Sequence, residues 1–351
     1  MTGRRWLAAA LLLALAQAGC STLGYYWQSA SGHLRVLQAA RPVQGVIDDP
    51  ATPAALRERL VRSREIRDFA VRSLHLPDNA SYRRYADIGR DAVVWNVVAT
   101  PELSLQLETW CYPLLGCVGY RGYFAQAEAE AMAATLRDRG REVHVYGVPA
   151  YSTLGKLPGR WFADPLLNTF IRWSDAEVAR MVFHELAHQV AYAADDTVFN
   201  ESFATAVERL GTAQWLRTQA DAGERERVER GEARRRQFRA LVADYRARFV
   251  ALYASDRSDA DKRAEKARLF AALRAEHAAL KAQDGPGWRG YDDWFARVNN
   301  AVLAVQAAYD GRVADFERLF HRCDDDYQCL YREARRLAAL PKAERDAALA
   351  P

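Results

Sequence analysis

Two histidines and a glutamate stand together near the middle of the chain, in the run His184-Glu185-Leu186-Ala187-His188. Residues four apart lie on one face of an α-helix, about 6 Å apart along its axis, so both imidazoles can reach one metal ion. Glu185 lies beside them, where its carboxylate can take a proton from metal-activated water. The pattern predicts His184 and His188 as ligands of one Zn²⁺ per chain and Glu185 as the general base. Ordinary surface or satisfied core residues are the alternative.

A third protein ligand is expected downstream, because catalytic zinc sites usually combine three protein ligands with one open position. Glu201 follows His188 after an interval long enough for a turn and the antiparallel return of a second helix. Glu208 comes two helical turns later, where it can orient a ligand histidine. We therefore predict Glu201 as the third metal ligand and Glu208 as its supporting carboxylate. For both, a position on a helix without a role in the site remains open.

Attack of water on a peptide carbonyl builds negative charge on the carbonyl oxygen, and a nearby donor stabilises that charge. The candidates are Tyr151 and Tyr192, with His321 as a third. Tyr151 follows a predicted strand, and its segment could bind substrate backbone by strand addition. The alternative for Tyr151 is a loop aromatic that packs on Trp161.

Three stretches together resemble a family of putative bacterial aminopeptidases, over nearly the whole chain after its N-terminal segment. They are residues 111–124, residues 151–155, and the pair H-E-L-A-H and N-E-S-F-A, the latter at 200–204. N-E-S-F-A resembles the N-E-x-x-A signature of gluzincins, which implies Glu201 as the third ligand. The resemblance implies a zinc peptidase that removes N-terminal residues. Two departures are visible: the interval between the motifs is shorter than in the well-known gluzincin aminopeptidases, and their upstream G-x-M-E-N motif is absent.

The N-terminus has the outline of an export signal. Arginines at positions 4 and 5 precede an apolar run at 6–16, which is too short for a bilayer span of about 20 residues. Ala18 and Gly19 before Cys20 resemble the bacterial lipobox, although Gln17 stands where a leucine is usual. We expect residues 1–19 to be a signal peptide and Cys20 to be lipidated. Ser21 resembles proteins sorted to the outer membrane, here facing the periplasm; an ordinary signal peptide is the alternative.

The remaining four cysteines form two pairs, each separated by six positions: Cys111 with Cys117, and Cys323 with Cys329. An even number in an exported chain indicates disulfides. Pairing within each pair is the simplest arrangement. Pairing between them, or a zinc site made of all four, stays open.

The composition is that of a globular protein and gives no sign of nucleic-acid binding. Half of the 351 residues are apolar and 27% are charged, and two of the four units of net positive charge come from the arginines at positions 4 and 5. The segment 225–230 alternates arginine and glutamate almost strictly. Such alternation is typical of a solvated helix face and not of an RNA-binding patch.

The pattern of elements predicts an α+β fold that is mostly helical, with a small mixed sheet beside a gluzincin-like helix pair and a long C-terminal helical hairpin extension. The predicted units are 20–173, an N-terminal α/β region with the substrate-edge segment; 174–220, the zinc-binding helix pair; and 221–351, the helical extension. The expected helices are 24–40, 54–74, 123–139, a hairpin at 223–283 and a last long helix at 291–309, and the expected strands are 92–99, 104–107 and 142–148. Ser174-Asp175-Ala176-Glu177 is a capping box that predicts the start of the motif helix.

The predicted function is zinc-dependent peptide hydrolysis, with a peptide substrate as partner, a membrane contacted through the N-terminal lipid, and no nucleic acid. The alternatives are a catalytically silent zinc-binding envelope lipoprotein with a binding or chaperone role, and a purely structural envelope protein. Glu185 favours catalysis, because a binding protein would not need it. Another divalent metal could replace zinc, and neither exo- nor endopeptidase specificity nor the oligomeric state is predicted.

Overall fold

The computed structural model describes residues 23–112, 116–151, 153, 163–194 and 196–349. The signal peptide, Cys20, Trp161 and Asp195 lie outside the described residues. The described part of the chain begins with three helices, α1 at 23–39, α2 at Val43–Ile47 and α3 at Ala54–Arg72, with a two-residue strand between α1 and α2. Two of them, α1 and α3, match helices predicted from apolar spacing.

Three small sheets follow. Their strands are β1 Arg41–Pro42, β2 Arg84–Ala86, β3 Val94–Pro101, β4 Trp110–Tyr112, β5 Gly116–Val118, β6 Arg121–Tyr123, β7 Arg141–Val148 and β8 Leu166–Leu167. Strand β3 lies between β6 and β7 and pairs antiparallel with both, so β7 forms one edge of this sheet. Helix α4, Gln126–Asp138, packs on it.

The prediction of a strand at 104–107 is wrong. The N–H of Gln106 donates to Oγ of Ser104 at 3.0 Å, a local turn that competes with strand pairing. Leu105 packs against a helical core and Leu107 against Gly119, where a Cβ would lie 2.8 Å from Cδ1 of Leu107. The third strand of the sheet is β6 instead.

The motif helix α5, Asp175–Ala187, and helix α6, Thr197–Gln219, pack closely against each other. Ser174 caps α5 as predicted, its Oγ accepting from the N–H of Glu177 at 3.3 Å. Asp196 caps α6 by accepting from the N–H of Phe199 at 3.0 Å. The Asn200 side chain bonds both the N–H and the carbonyl of Ala193, at 2.7 and 2.8 Å, and so fixes the turn between the helices.

The predicted hairpin is present as α7, Ala222–Ala254, and α8, Asp259–Asp284. A 3₁₀ segment, Gly285–Tyr291, follows between the predicted hairpin and the predicted last long helix. The single helix expected at 291–309 is wrong, because the chain forms two helices there, α9 at Asp292–Arg297 and α10 at Asn300–Asp310. Val298 is extended, and Oδ1 of Asn299 accepts from the N–H of Val302 at 3.0 Å, which starts a new helix.

The last helices are α11 Val313–Arg322, α12 Tyr327–Ala338 and α13 Lys342–Leu349. They return to the main core, where Phe316 packs on Phe199 and Phe203 of α6. A second core joins α7 to α10, and a third lies between α4 and the β3 sheet. These observations confirm a mostly helical α+β fold.

Both disulfides are local, Cys111–Cys117 and Cys323–Cys329. The first ties β4 to β5, and the second joins the end of α11 to the start of α12. The pairing within each pair is therefore confirmed.

In the described part of the chain, no helix combines the length and the apolar character that a membrane span requires.

Candidate metal centre

The three predicted ligands converge on one point. Nε2 of His184 lies 3.2 Å from Nε2 of His188 and 3.4 Å from Oε2 of Glu201, and the remaining pair of donor atoms lies 3.8 Å apart. Among the described residues they are the group of histidine, cysteine and acidic side chains whose donor atoms cluster tightly enough for a metal. The site thus combines two donors from α5 with one from α6.

The donor set fits a zinc ion. Ligands at tetrahedral corners, with bonds of about 2.0–2.1 Å, lie about 3.3–3.5 Å apart, close to the observed separations. The site is largely buried: His188 is 8% exposed. Nδ1 of His188 has no hydrogen-bond partner among the described residues. Three protein donors are the number found in catalytic zinc sites, whereas structural sites usually have four.

The charges of these groups are strongly coupled. Burial alone would lower the pKa of His184, but hydrogen bonds to Glu201 and Glu208 outweigh it and raise that pKa well above the usual value. Burial lowers the pKa of His188 to about 4. Burial disfavours the charged form of Glu201 too, yet the two histidines lower its pKa. A proton on the His184 ring is therefore stabilised by the neighbouring carboxylates of Glu201 and Glu208.

Glu185 lies beside this cluster and faces a cavity of about 470 Å³. Its side chain is 8% exposed, and burial raises its pKa to about 7. The cavity is also lined by 148–150 at the end of β7 and by residues of α7, including Arg235 and Phe238. Its volume lies in the range of small-molecule and peptide sites.

A chain of charged contacts connects the site to the helical extension. Oε2 of Glu208 lies 3.2 Å from Nδ1 of His184, where the prediction places a supporting carboxylate. The other oxygen of Glu208 lies 3.8 Å from Arg180, which also pairs with Glu232 of α7. The chain continues through Arg235. Glu208 can hold the imidazole of His184 in one tautomer and orientation.

The two predicted tyrosines lie in different surroundings. The Tyr151 hydroxyl is hydrogen-bonded to Nδ1 of His33 in α1, 2.5 Å away, and its ring packs on Phe124. Tyr192 is half-buried in the turn after α5 and acts electrostatically on Tyr120. His321 is exposed and pairs with Asp325 at 2.7 Å. The three candidate ligands, which we call the donor trio, therefore lie close to Glu208 and Glu185. The hydroxyl of Tyr151 is instead hydrogen-bonded to His33 of α1.

Sequence patterns do not single out two tyrosines that the fold brings to the site. Tyr120 shares a small cavity with Glu201, and burial, then the charge of Glu201, raise its pKa well above the usual value. Tyr82 is 2% exposed, with a left-handed φ of 61°, and burial followed by the charge of Glu185 raises its pKa. Its hydroxyl has no hydrogen-bond partner among the described residues. The sequence signal for Tyr120 is its place just after the Cys111–Cys117 hairpin.

A family model described as Putative aminopeptidase matches residues 24–349. The chain belongs to this family. The match extends from α1 to α13 and therefore includes the donor trio, the cavity and the helical extension. No curated protein and no solved structure matches the chain. Membership confirms the resemblance to putative aminopeptidases and supports a hydrolase that acts on peptides, whereas the gluzincin part of that resemblance stays a prediction.

Proposed function

We propose that this chain is a zinc-dependent peptidase of the cell envelope, most simply an aminopeptidase. The observation that carries the proposal is the convergence of three buried donor atoms, 3.2 to 3.8 Å apart, next to a buried glutamate that faces a cavity. Structural ion pairs also perturb pKa values, but they do not require two imidazoles and a carboxylate arranged around one point.

His184, His188 and Glu201 would hold the ion, which supplies Lewis-acid polarisation and lowers the pKa of water to about 7 when bound. Glu185 accepts a proton from the attacking water and later donates it to the leaving amine. Its raised pKa, near 7, suits both directions of proton transfer at neutral pH. Glu208 holds the His184 ring in place through Nδ1.

Stabilisation of the developing oxyanion needs a hydrogen-bond donor within reach of the substrate. Tyr151 and Tyr192 are the residues proposed from the sequence, and Tyr120 joins them because it lies by Glu201. The end of β7 at 148–150 lines the cavity beside Glu185, where a substrate backbone can add to the strand edge.

The chain is further proposed to be exported and lipidated at Cys20, and to face the periplasm from the outer membrane. Two disulfides agree with an oxidising compartment. Mass spectrometry of the mature N-terminus tests this: a Cys20 that carries acyl chains supports the anchor, and an unmodified Cys20 contradicts it.

The experiment that tests the peptidase measures zinc content and hydrolysis on the same purified protein. We expect one zinc per chain and chelator-sensitive cleavage of aminoacyl reporter substrates with a free amine. Cleavage of blocked peptides at equal rates would instead indicate an endopeptidase. Bound zinc without cleavage of any peptide would favour the silent zinc-binding lipoprotein, and no zinc under zinc-replete conditions would overturn the site.

A further inference from the structure

The first helix has an apolar stripe that faces solvent. Leu23, Trp27 and Leu34 are 72%, 74% and 39% exposed, and Tyr26 beside them is 41% exposed. Their spacing of four and seven residues puts the first three on one line along the helix, with the small Ala30 between Trp27 and Leu34. Four of the seven large apolar side chains that are exposed among the described residues belong to this one helix.

The opposite face of α1 is fixed to the body, so the stripe cannot turn inward. Gly32 lies so close to Phe124 that a Cβ would overlap the ring. Gln28 accepts from the N–H of Phe124 at 3.0 Å, and the Tyr25 ring lies 4.1 Å from the Arg121 guanidinium. His33 bonds Tyr151. Contacts of this kind hold α1 in one rotation about its axis.

The position and charge of α1 indicate what covers the stripe. Only residues 21 and 22 separate Cys20 from Leu23, so the length of the chain keeps an acyl chain on Cys20 within about 10 Å of the start of the stripe. Residues 23–39 contain no aspartate or glutamate and one arginine, Arg35, so no acidic side chain of the helix would be repelled by anionic headgroups. Tryptophan and tyrosine favour the interface between headgroups and acyl chains.

We propose that α1 lies on the bilayer with Leu23, Trp27 and Leu34 inserted into its surface, beside the lipid on Cys20. The proposal rests on the lipid anchor proposed above. The stripe extends about 16 Å along the helix axis, from Leu23 to Leu34, which is enough to orient the body and not only to tether it. The inner face of the same helix bonds Tyr151, so one helix connects the membrane contact to this tyrosine.

The test uses the mature lipidated protein in vesicles of phosphatidylethanolamine and phosphatidylglycerol that carry brominated acyl chains. Bromine quenches only tryptophan close to the acyl chains. We expect the fluorescence to fall on reconstitution, and the fall to disappear in Trp27→Phe. A Leu34→Ser variant should weaken the quenching, whereas Val250→Ser, at a 47% exposed apolar position on α7, should leave it unchanged.

Membrane binding without the anchor gives a second measurement. A Cys20→Ser chain should still bind these vesicles weakly, and adding Trp27→Ser should reduce its partition by about tenfold. No quenching in a protein whose Cys20 carries acyl chains would overturn the stripe while the anchor stands. An equal fall in Trp27→Phe, or capture of a second protein on the stripe in place of lipid, would also overturn it. Hydrolysis of a soluble peptide by the same variants reports separately on the peptidase.

Discussion

The molecule contains two helical hairpins that use charged residues in opposite ways. In the pair α5 and α6 the ionisable groups of the candidate site are largely buried: Glu185, and His188 at the C-terminal cap of α5, are each 8% exposed. In α7 most charges face solvent, as in the pair Glu226 and Arg230, whose side chains are 67% and 60% exposed. Burial of charge costs free energy, whereas a solvated pair contributes little in either direction.

The difference shows that the helix pair α5 and α6 carries a free-energy cost of buried charge that its packing does not require. An apolar helix pair would satisfy the packing of α5 and α6 without His184, His188 and Glu201. The proposed metal site would account for their presence there. The arginines and glutamates of α7 need no such explanation, except where Glu232 reaches Arg180.

The largest effect is expected from Glu185→Gln, in the helix pair α5 and α6. The substitution keeps the shape of the side chain but removes the base, so peptidase activity should fall by about 10²–10⁴-fold while zinc stays bound. Turnover of the best reporter peptide and zinc content by mass spectrometry check this. Glu229→Gln, an exposed position on α7, is the matched control and should be unchanged. An unaltered rate in Glu185→Gln would remove the general base from the proposal.

The next largest effect is expected at the buried apolar face of the hairpin formed by α7 and α8. Phe249 is 0% exposed and packs on Phe270, with ring centroids 4.5 Å apart. Phe249→Ala should lower the free energy of unfolding by about 3–5 kcal/mol, measured by urea denaturation. Its neighbour Val250 is 47% exposed, and Val250→Ala should change the free energy of unfolding by no more than about 0.5 kcal/mol. Equal losses at both positions would contradict the burial of this helix face.

A smaller effect is expected from the carboxylate behind the ligand. Glu208→Gln removes the charge that contacts Nδ1 of His184, so zinc affinity should fall by about 10–100-fold. Competition with a chelator of known affinity measures this, with Glu226→Gln as the control. If the two variants hold zinc equally tightly, Glu208 does not orient the ligand.

The smallest effect belongs to the solvated pair itself. Arg230→Ala breaks the contact with Glu226 four residues before it, and the free energy of unfolding should change by less than about 0.5 kcal/mol. The same urea denaturation measures it. A loss above about 1 kcal/mol would mean that the exposed charges of α7 matter more than their solvation allows.

The donor trio could be predicted from the sequence because the signals that position its residues are local in the chain. The capping box at Ser174 fixes the start of α5, the four-residue spacing puts both histidines on one face, and Asp196 starts α6. Helix existence follows from the periodicity of apolar residues, which each segment carries by itself.

The tyrosines around the candidate site could not be predicted from the sequence in the same way. Tyr120 reaches Glu201 through a disulfide hairpin, and Tyr82 reaches Glu185 because its backbone N–H bonds the carbonyl of Asp164 at 2.6 Å. Such contacts join residues far apart in the chain. The break at Asn299 has a local part, the cap that Oδ1 of Asn299 provides, and a long-range part, the N–H of Asn300 donating to Glu142 of β7 at 2.8 Å. Only the second part has no local sequence signal.

The contact between Arg180 and Glu232 also limits how far the chain is modular. Glu232 of α7 pairs with Arg180. Arg180 in turn contacts Glu208, the carboxylate next to His184. If the chain were cleaved after residue 220, Arg180 would lose that partner and the cavity would lose the wall formed by Arg235 and Phe238. The helical extension is therefore not a separable accessory: its removal would change both the charge around Glu208 and the shape of the cavity.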